Sequence, residues 1–155
     1  MQDLHIRTAA AADAPVIAAF NLAMARETEH LELDPARLRA GVEAVLADAA
    51  KGFYLVAESG GRVVGQLMIT FEWSDWRNGN FWWIQSVYVD PEARGLGVYR
   101  RLYQHVRGAA DARGNVCGIR LYVERENVRA QEVYRRQGMS AAPYEMYEVD
   151  LVLRR

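Results

Sequence analysis

Cysteine occurs once in the 155 residues, at Cys117, so no internal disulfide forms and no thiolate cluster can hold a metal. The three histidines, His5, His30 and His105, stand far apart and in no zinc-ligand spacing, so no metal is expected. Lysine is reduced to Lys51, and every other basic residue is an arginine, the side chain whose planar fork grips phosphate. Charge of one sign is missing too: 19 basic against 20 acidic residues leave −1, which argues against a nucleic-acid coat but permits a local anion pocket. There is no apolar run of about eighteen residues, and the start MQDLHIRT has no leader-like pattern. The expectation is a cytoplasmic protein with neither membrane nor nucleic acid as partner.

What is present is core-forming material, 51% hydrophobic, in a length suited to a single domain over residues 1–155. A strand is predicted at Ile6 to Thr8. Asp13 and Pro15 open a helix with Val16, Ile17, Phe20 and Met24 on one face, and Asp34 and Pro35 open another carrying Leu38, Val42, Val45, Leu46 and Ala49. The period then changes. FYLVA and RVVGQLMITFE flank Ser59-Gly60-Gly61 as a hairpin, and FWWIQSVYV, Phe81 to Val89, reads as a central strand covered on both faces. A helix from about Gly97 to Ala112 (Val98, Leu102, Val106, Ala109 inward), a strand Ile119 to Val123, a helix Asn127 to Arg136 ended by Gly138, and an alternating strand Tyr144 to Leu153 complete the chain. The fold class is α+β, a mixed sheet with helices on both faces.

The junction VYVDPEARGLGVYRRLY, Val87 to Tyr103, runs from the central strand through a glycine turn into a helix. Such a corner collects unpaired backbone N–H groups and the positive helix end, which suits a phosphate or diphosphate. Gly95 and Gly97 let oxygens approach the backbone, and Arg94, Arg100 and Arg101 add charge. A tight β-to-α turn with solvated arginines fits the same residues. A Walker A loop is excluded because no Gly-Lys-Ser/Thr ending is present, and a dinucleotide fingerprint because Arg100 stands where its third glycine belongs.

Arg94-Gly95-Leu96-Gly97-Val98-Tyr99, its VDPEAR lead-in and the later LYVERENVRAQEVYRRQGM resemble the GNAT superfamily of acyl-CoA-dependent N-acetyltransferases, with a Q/R-x-x-G-x-G/A loop from which only Tyr99 departs. The resemblance runs from the first helix to the last strand. It implies acetyl-CoA as co-substrate, its diphosphate on Arg94 to Arg100, and its pantetheine arm paired with the backbone of Val87, Tyr88 and Val89 where the central strand splays from its neighbour. It also implies a backbone N–H near that point as oxyanion donor, Asn127 on the pantetheine, and Tyr134 as acid for the departing thiolate. A plain helix cap and a core aromatic fit Asn127 and Tyr134 as well. Direct transfer without an acyl-enzyme follows, with Cys117 a buried, inert thiol.

For the acceptor, Glu72-Trp73-Ser74-Asp75-Trp76-Arg77-Asn78 places carboxylates and indoles in one connection, a combination that suits a cationic amine. Tryptophans packed on the sheet with acids in water is the competing explanation. Glu27, Glu29 and Glu32 either line the same cleft or form an acidic patch. The loop is similar to the diamine and thialysine branch, but Gln85 replaces that branch's glutamate, so Glu72 is the preferred base and Glu27 the second. The leading function is acetyl transfer to a primary amine of a small molecule, polyamine- or amino-acid-like. A CoA-binding module without turnover and an acetyltransferase for protein N-termini or lysines are the alternatives. The last strand offers an edge for a homodimer.

Overall fold

The computed structural model describes residues 3–153. Two compact units divide the chain, one ending at Leu121 and the other beginning at Tyr122. The first unit holds β1 (His5–Thr8), α1 (Ala14–Glu29), α2 (Pro35–Ala47), β2 (Phe53–Ser59), β3 (Arg62–Ser74), β4 (Gly79–Val89), α3 (Val98–Arg113) and β5 (Val116–Arg120). Its five strands lie in chain order, antiparallel from β1 to β4, with β5 parallel to β4. The mixed α+β sheet expected from the pattern is therefore the one observed.

Side-chain alternation assigns the two helical layers. Tyr54 and Val56 of β2 pack on Ala14, Ile17 and Ala18 of α1 and Val42 of α2. Gly65 faces the other way, where an added Cβ would lie 2.7 Å from Val98 of α3. The α2 start follows its sequence signal, since Asp34 Oδ1 accepts from the N–H groups of Ala36 and Arg37 and Pro35 takes the first turn. Gly60 and Gly61 both adopt positive φ, 58° and 75°, as the two-residue hairpin between β2 and β3 requires.

Several expectations are corrected. Asp13 does not cap α1 with its side chain. It closes a 3-10 turn, Ala11–Asp13, by accepting from Ala10 N–H at 2.7 Å, and it accepts from both terminal nitrogens of Arg7 at 2.8 and 3.0 Å. The buried row of α1 is Ala14, Ile17, Ala18, Asn21 and Ala25, one step round from Val16, Phe20 and Met24. Ala49 lies beyond α2, and Ala110 rather than Ala109 is the buried residue near the end of α3. β5 covers Val116–Arg120 instead of Ile119 to Val123, because its parallel register fixes Val116 opposite Asn80 and Arg120 opposite Trp83. Gly118 is required there, since a Cβ would collide with the Phe81 ring of β4.

The second unit contains α4 (Val128–Arg136), opened by Asn127, whose Oδ1 accepts from Ala130 N–H at 3.1 Å. The predicted strand Tyr144 to Leu153 is absent. Asp150 Oδ1 instead accepts from the N–H groups of Val152 and Leu153, a local turn that competes with a ladder. The apolar side chains of this segment stand open, Tyr147 at 92% and Val149 at 83% of full exposure.

Asp13 provides a stability test. Its bonds to Arg7, and then to the Ala10 amide, hold its carboxyl below the ordinary carboxylate range. A depressed value stabilises the fold fully above the unfolded pKa of about 4, and that contribution is lost as pH falls through the folded value. Asp13→Asn should lower stability by about 2 kcal/mol at neutral pH, and the gap to the parent should narrow in acid. Denaturant melts at pH 7 and pH 3 measure both.

Candidate active site

β4 changes neighbours along its length. From Asn80 to Trp83 it is paired with both β3 and β5, whereas from Gln85 onward its ladder is with β3 alone. Met68 faces Gln85 and Gln66 faces Tyr88, so Ser86 and Val87 together oppose the single residue Leu67, a β-bulge. Ser86 has φ 51°, a left-handed conformation rarely adopted by a side-chain-bearing residue. The backbone of Val87, Tyr88 and Val89 thus lies on a strand with one ladder, beside a bulge, as the splay implied by the resemblance requires.

Past Val89 the chain makes a 3-10 turn, Pro91–Ala93, whose first amide is held by Asp90. Gly95 and Gly97 then take φ 78° and 80°, and a Cβ at either would meet open space. Backbone conformation therefore demands these glycines, and it leaves room above the loop. Gly97 is the N-cap of α3 and, having no side chain, makes no side-chain cap hydrogen bond to the first turn of the helix. Leu96 and Arg100 are exposed beside them. The Tyr99 ring packs against Tyr103 one turn along α3, with centroids 6.4 Å apart. Arg101 turns to the residue just before β1, donating to the Leu4 carbonyl.

Arg94 donates through Nε to the Val89 carbonyl at 2.9 Å and through Nη2 to Glu27 Oε2 at 2.8 Å. Glu27 Oε1 accepts from the Tyr88 hydroxyl at 2.8 Å. Arg94, and then Tyr88, hold the Glu27 carboxyl below the usual carboxylate range. Burial, and then the Glu27 bond, push the Tyr88 phenol up. Both partners of the ion pair are nearly half exposed, so it is worth at most about 1 kcal/mol, little enough for a phosphate to share Arg94.

Glu72 sits at the other end of β4. It and Trp73 belong to β3, and the connection is only the turn 75–78, because Glu72, Trp73 and Ser74 pair with Phe81, Asn80 and Gly79. Glu72 Oε1 accepts from Trp83 Nε1 at 3.0 Å and from Arg120 Nη1 at 2.9 Å, and the Arg120 guanidinium lies 3.6 Å from the centroid of the Phe81 ring. Trp73, as the next residue, points to the opposite sheet face, while Asp75 and Trp76 occupy the turn, where Asp75 Oδ1 holds the Trp76 amide. Gln85 shares the face of Glu72 and donates to Thr70 Oγ1 at 2.6 Å. Phe81 and Tyr88 are roughly 20 Å apart at about 3.3 Å per residue, so Glu72 and Glu27 cannot attend one reacting atom. Glu29 ends α1, and Glu32 is paired with Arg26.

Within the second unit, Asn127 caps α4 and Tyr134 is half-buried on it, burial pushing its phenol up. Cys117 is half-buried in β5. A cavity of about 350 Å³ lies on the α3 face, lined by Phe53, Phe71, Trp82, His105 and Arg113 among others, and no sequence-predicted site residue borders it. Among the described residues there is no cluster of three His, Cys, Asp or Glu able to hold a metal, and no helix long and apolar enough to cross a membrane. Sequence reasoning missed Asn21, Gln66 and Tyr54, which are buried and joined to the bulge. A glutamine inside an apolar strand and an asparagine on an inward helix face are the signals that could have found them.

The chain matches the model of the Acetyltransferase (GNAT) family over residues 17–139. No curated protein sequence matches it. Among solved structures it is similar to a possible acetyltransferase from Clostridium difficile 630, at 46% identity and TM-score 0.90 over 96% of this chain and 98% of that one. It shares its fold with a predicted acetyltransferase with acetyl-CoA from Clostridium acetobutylicum, at 20% identity and TM-score 0.77 over 97% of each chain. It also shares the fold of glucosamine-6-phosphate N-acetyltransferase from Arabidopsis thaliana, at 17% identity and TM-score 0.72 over 96% of this chain and 99% of that one. With the split strand, the bulge and the glycine corner already in place, the family match gives the conclusion that the chain belongs to the GNAT family of acyl-CoA-dependent N-acetyltransferases.

Proposed function

We propose that the protein moves the acetyl group of acetyl-CoA directly to a primary amine of a small cytoplasmic molecule, polyamine- or amino-acid-like. The observation that carries this is the uncapped α3 amide corner continuous with the single-laddered part of β4. The coenzyme's diphosphate takes the amides of Val98 to Arg100 with Arg94 sharing its fork, and the pantetheine arm runs along Val87 to Val89 as an added strand. The thioester carbonyl accepts from a backbone N–H at the bulge, which stabilises the tetrahedral intermediate. The amine attacks, the C–S bond breaks, and the thiolate takes its proton from Tyr134, the acid that the family resemblance implies. Asn127 holds the pantetheine amides.

On the acceptor side Glu72 supplies negative charge and takes the amine proton through intervening water, since Phe81 stands about 16 Å along β4 from Ser86. Glu27, engaged by Arg94, serves the coenzyme corner instead. The neutral Gln85–Thr70 pair between them leaves room for a diamine or an amino acid, the substrate class of the similar branch. A second copy of the chain is the proposed partner of the exposed apolar residues from Tyr144 to Leu153.

Three outcomes follow from this reading. Calorimetry with coenzyme A should show binding that Arg94→Ala weakens by about ten- to a hundredfold, the worth of a charge-assisted bond; no heat with the parent would end the proposal. Glu72→Gln should depress the pH-dependent limb of thiol release from acetyl-CoA with an amine panel while leaving acetyl-CoA affinity nearly unchanged, and parent-like kinetics across pH would remove Glu72 from the mechanism. Light scattering should give the parent twice the mass of the chain and the Val149→Asp, Leu151→Asp double variant the monomer mass, whereas a monomeric parent excludes the homodimer.

A further inference from the structure

The residues that touch the bulge from behind belong to no part of the machinery described so far. Gln66, on β3, is fully buried. Its Nε2 donates to Asn21 Oδ1 of α1 at 2.8 Å and to the Ser86 carbonyl at 3.1 Å. Both partners are acceptors, so the amide orientation is set by them. Asn21 is buried too and donates through Nδ2 to the Tyr54 hydroxyl at 3.3 Å. Tyr54, on β2, is also within hydrogen-bonding reach of Ser86. Four elements, α1, β2, β3 and β4, thus converge through polar groups on one left-handed residue.

Three features separate this network from ordinary packing. First, the Oε1 of Gln66 is buried and lacks a hydrogen-bond partner among the described residues, so the side chain carries a desolvation cost that an apolar residue of equal length would avoid. Second, the bond from Nε2 goes to the carbonyl of the one β4 residue with positive φ, where the backbone is strained and needs an external tie to persist. Third, that tie reaches the bulge from the β3 side and leaves the opposite edge, where a strand-like arm would lie, untouched. A side chain kept at a cost, tied to a strained peptide and standing behind the coenzyme's track, has the position of a support for that peptide.

We propose that Gln66 is a positioning residue for acetyl transfer. By holding the Ser86 carbonyl against β3, with Asn21 fixing its other N–H, it sets the rotation of the Ser86–Val87 peptide and so the aim of the bulge N–H that polarises the thioester carbonyl. This rests on the acetyltransferase reading above and adds a residue on the far side of the strand from the substrate.

The test needs no acceptor. Acetyl-CoA labelled with ¹³C at the thioester carbonyl is bound to the protein and its carbonyl stretch read by difference infrared spectroscopy, with coenzyme A affinity and a thermal melt measured alongside. In the parent the bound carbonyl should absorb at lower frequency than in a variant without the tie, because a donated N–H weakens the C=O bond. Gln66→Met, which keeps length and flexibility, should shift the stretch upward while coenzyme A affinity stays within about threefold. If Gln66→Met does not fold, Gln66→Leu, similar in volume and without any donor, is read in the same way. A parent-like stretch in the folded variant, whatever its melting temperature, overturns the proposal and reduces Gln66 to packing. A parent that binds acetyl-CoA with no change on substitution at Gln66 therefore defeats this inference alone, whereas a parent that fails to bind acetyl-CoA defeats the functional reading and this inference with it.

Discussion

The site depends on β4 keeping one neighbour and losing the other in mid-strand. Backbone N–H and C=O groups need partners, and up to Trp83 the strand finds them on both sides, in β3 and β5. From Gln85 onward the ladder with β3 continues alone, and an extended ligand that brings its own amides can complete the other side. The bulge at Ser86 falls within this stretch, so the change of partner and the change of twist occur together. Without the ladder to β3 the strand would have no fixed edge; without the release from β5 it would have no free one.

Charge is distributed along the same strand so that its two ends do not interfere. Near Tyr88 the cation is Arg94 and its partner Glu27; near Phe81 the carboxylate is Glu72 and its partner Arg120. The separation of roughly 20 Å exceeds the Debye length of about 8 Å at physiological salt, so neither exposed pair feels the other's partner strongly. The glycine corner and the Glu72 end are therefore electrostatically independent of each other. Glu27 keeps Arg94 from presenting a bare cation at the corner.

Most of the fold could be read from the chain because its signals are local. Asp34-Pro35 starts a helix through a cap that depends on two residues, and Gly60-Gly61 turns a hairpin because positive φ is free only to glycine. The glycine corner was legible for the same reason. What escaped depends on partners distant in sequence. The register of β5 is set by Asn80 to Trp83 and by the room Gly118 gives Phe81, so Ile119 to Val123 looked strand-like and yet the strand sits earlier. Asp13 has the sequence of a cap and serves Arg7 instead, 6 residues back in the chain. Tyr144 to Leu153 alternates like a strand, but alternation supplies a face and not a ladder, and Asp150 ties the local amides into a turn.

The polar network behind the bulge was invisible for a further reason. Gln66 falls between apolar residues of β3, and in a half-covered strand such a position is normally solvent-facing. Here it is buried and meets Asn21 of α1 on that face. The buried cluster around α1 is otherwise apolar at Ala14, Ile17, Ala18 and Val56, so the amide pair is set in a medium of low polarity where its hydrogen bonds hold geometry firmly. The Glu72 end of the strand has no equivalent: Gln85 donates to Thr70, Glu72 is held by Trp83 and Arg120, and Trp73 turns to the other face. The bulge is therefore held by a buried amide network, whereas the Glu72 end is held by side-chain pairs at the surface, so a substitution at the Glu72 end leaves the contacts behind the bulge in place.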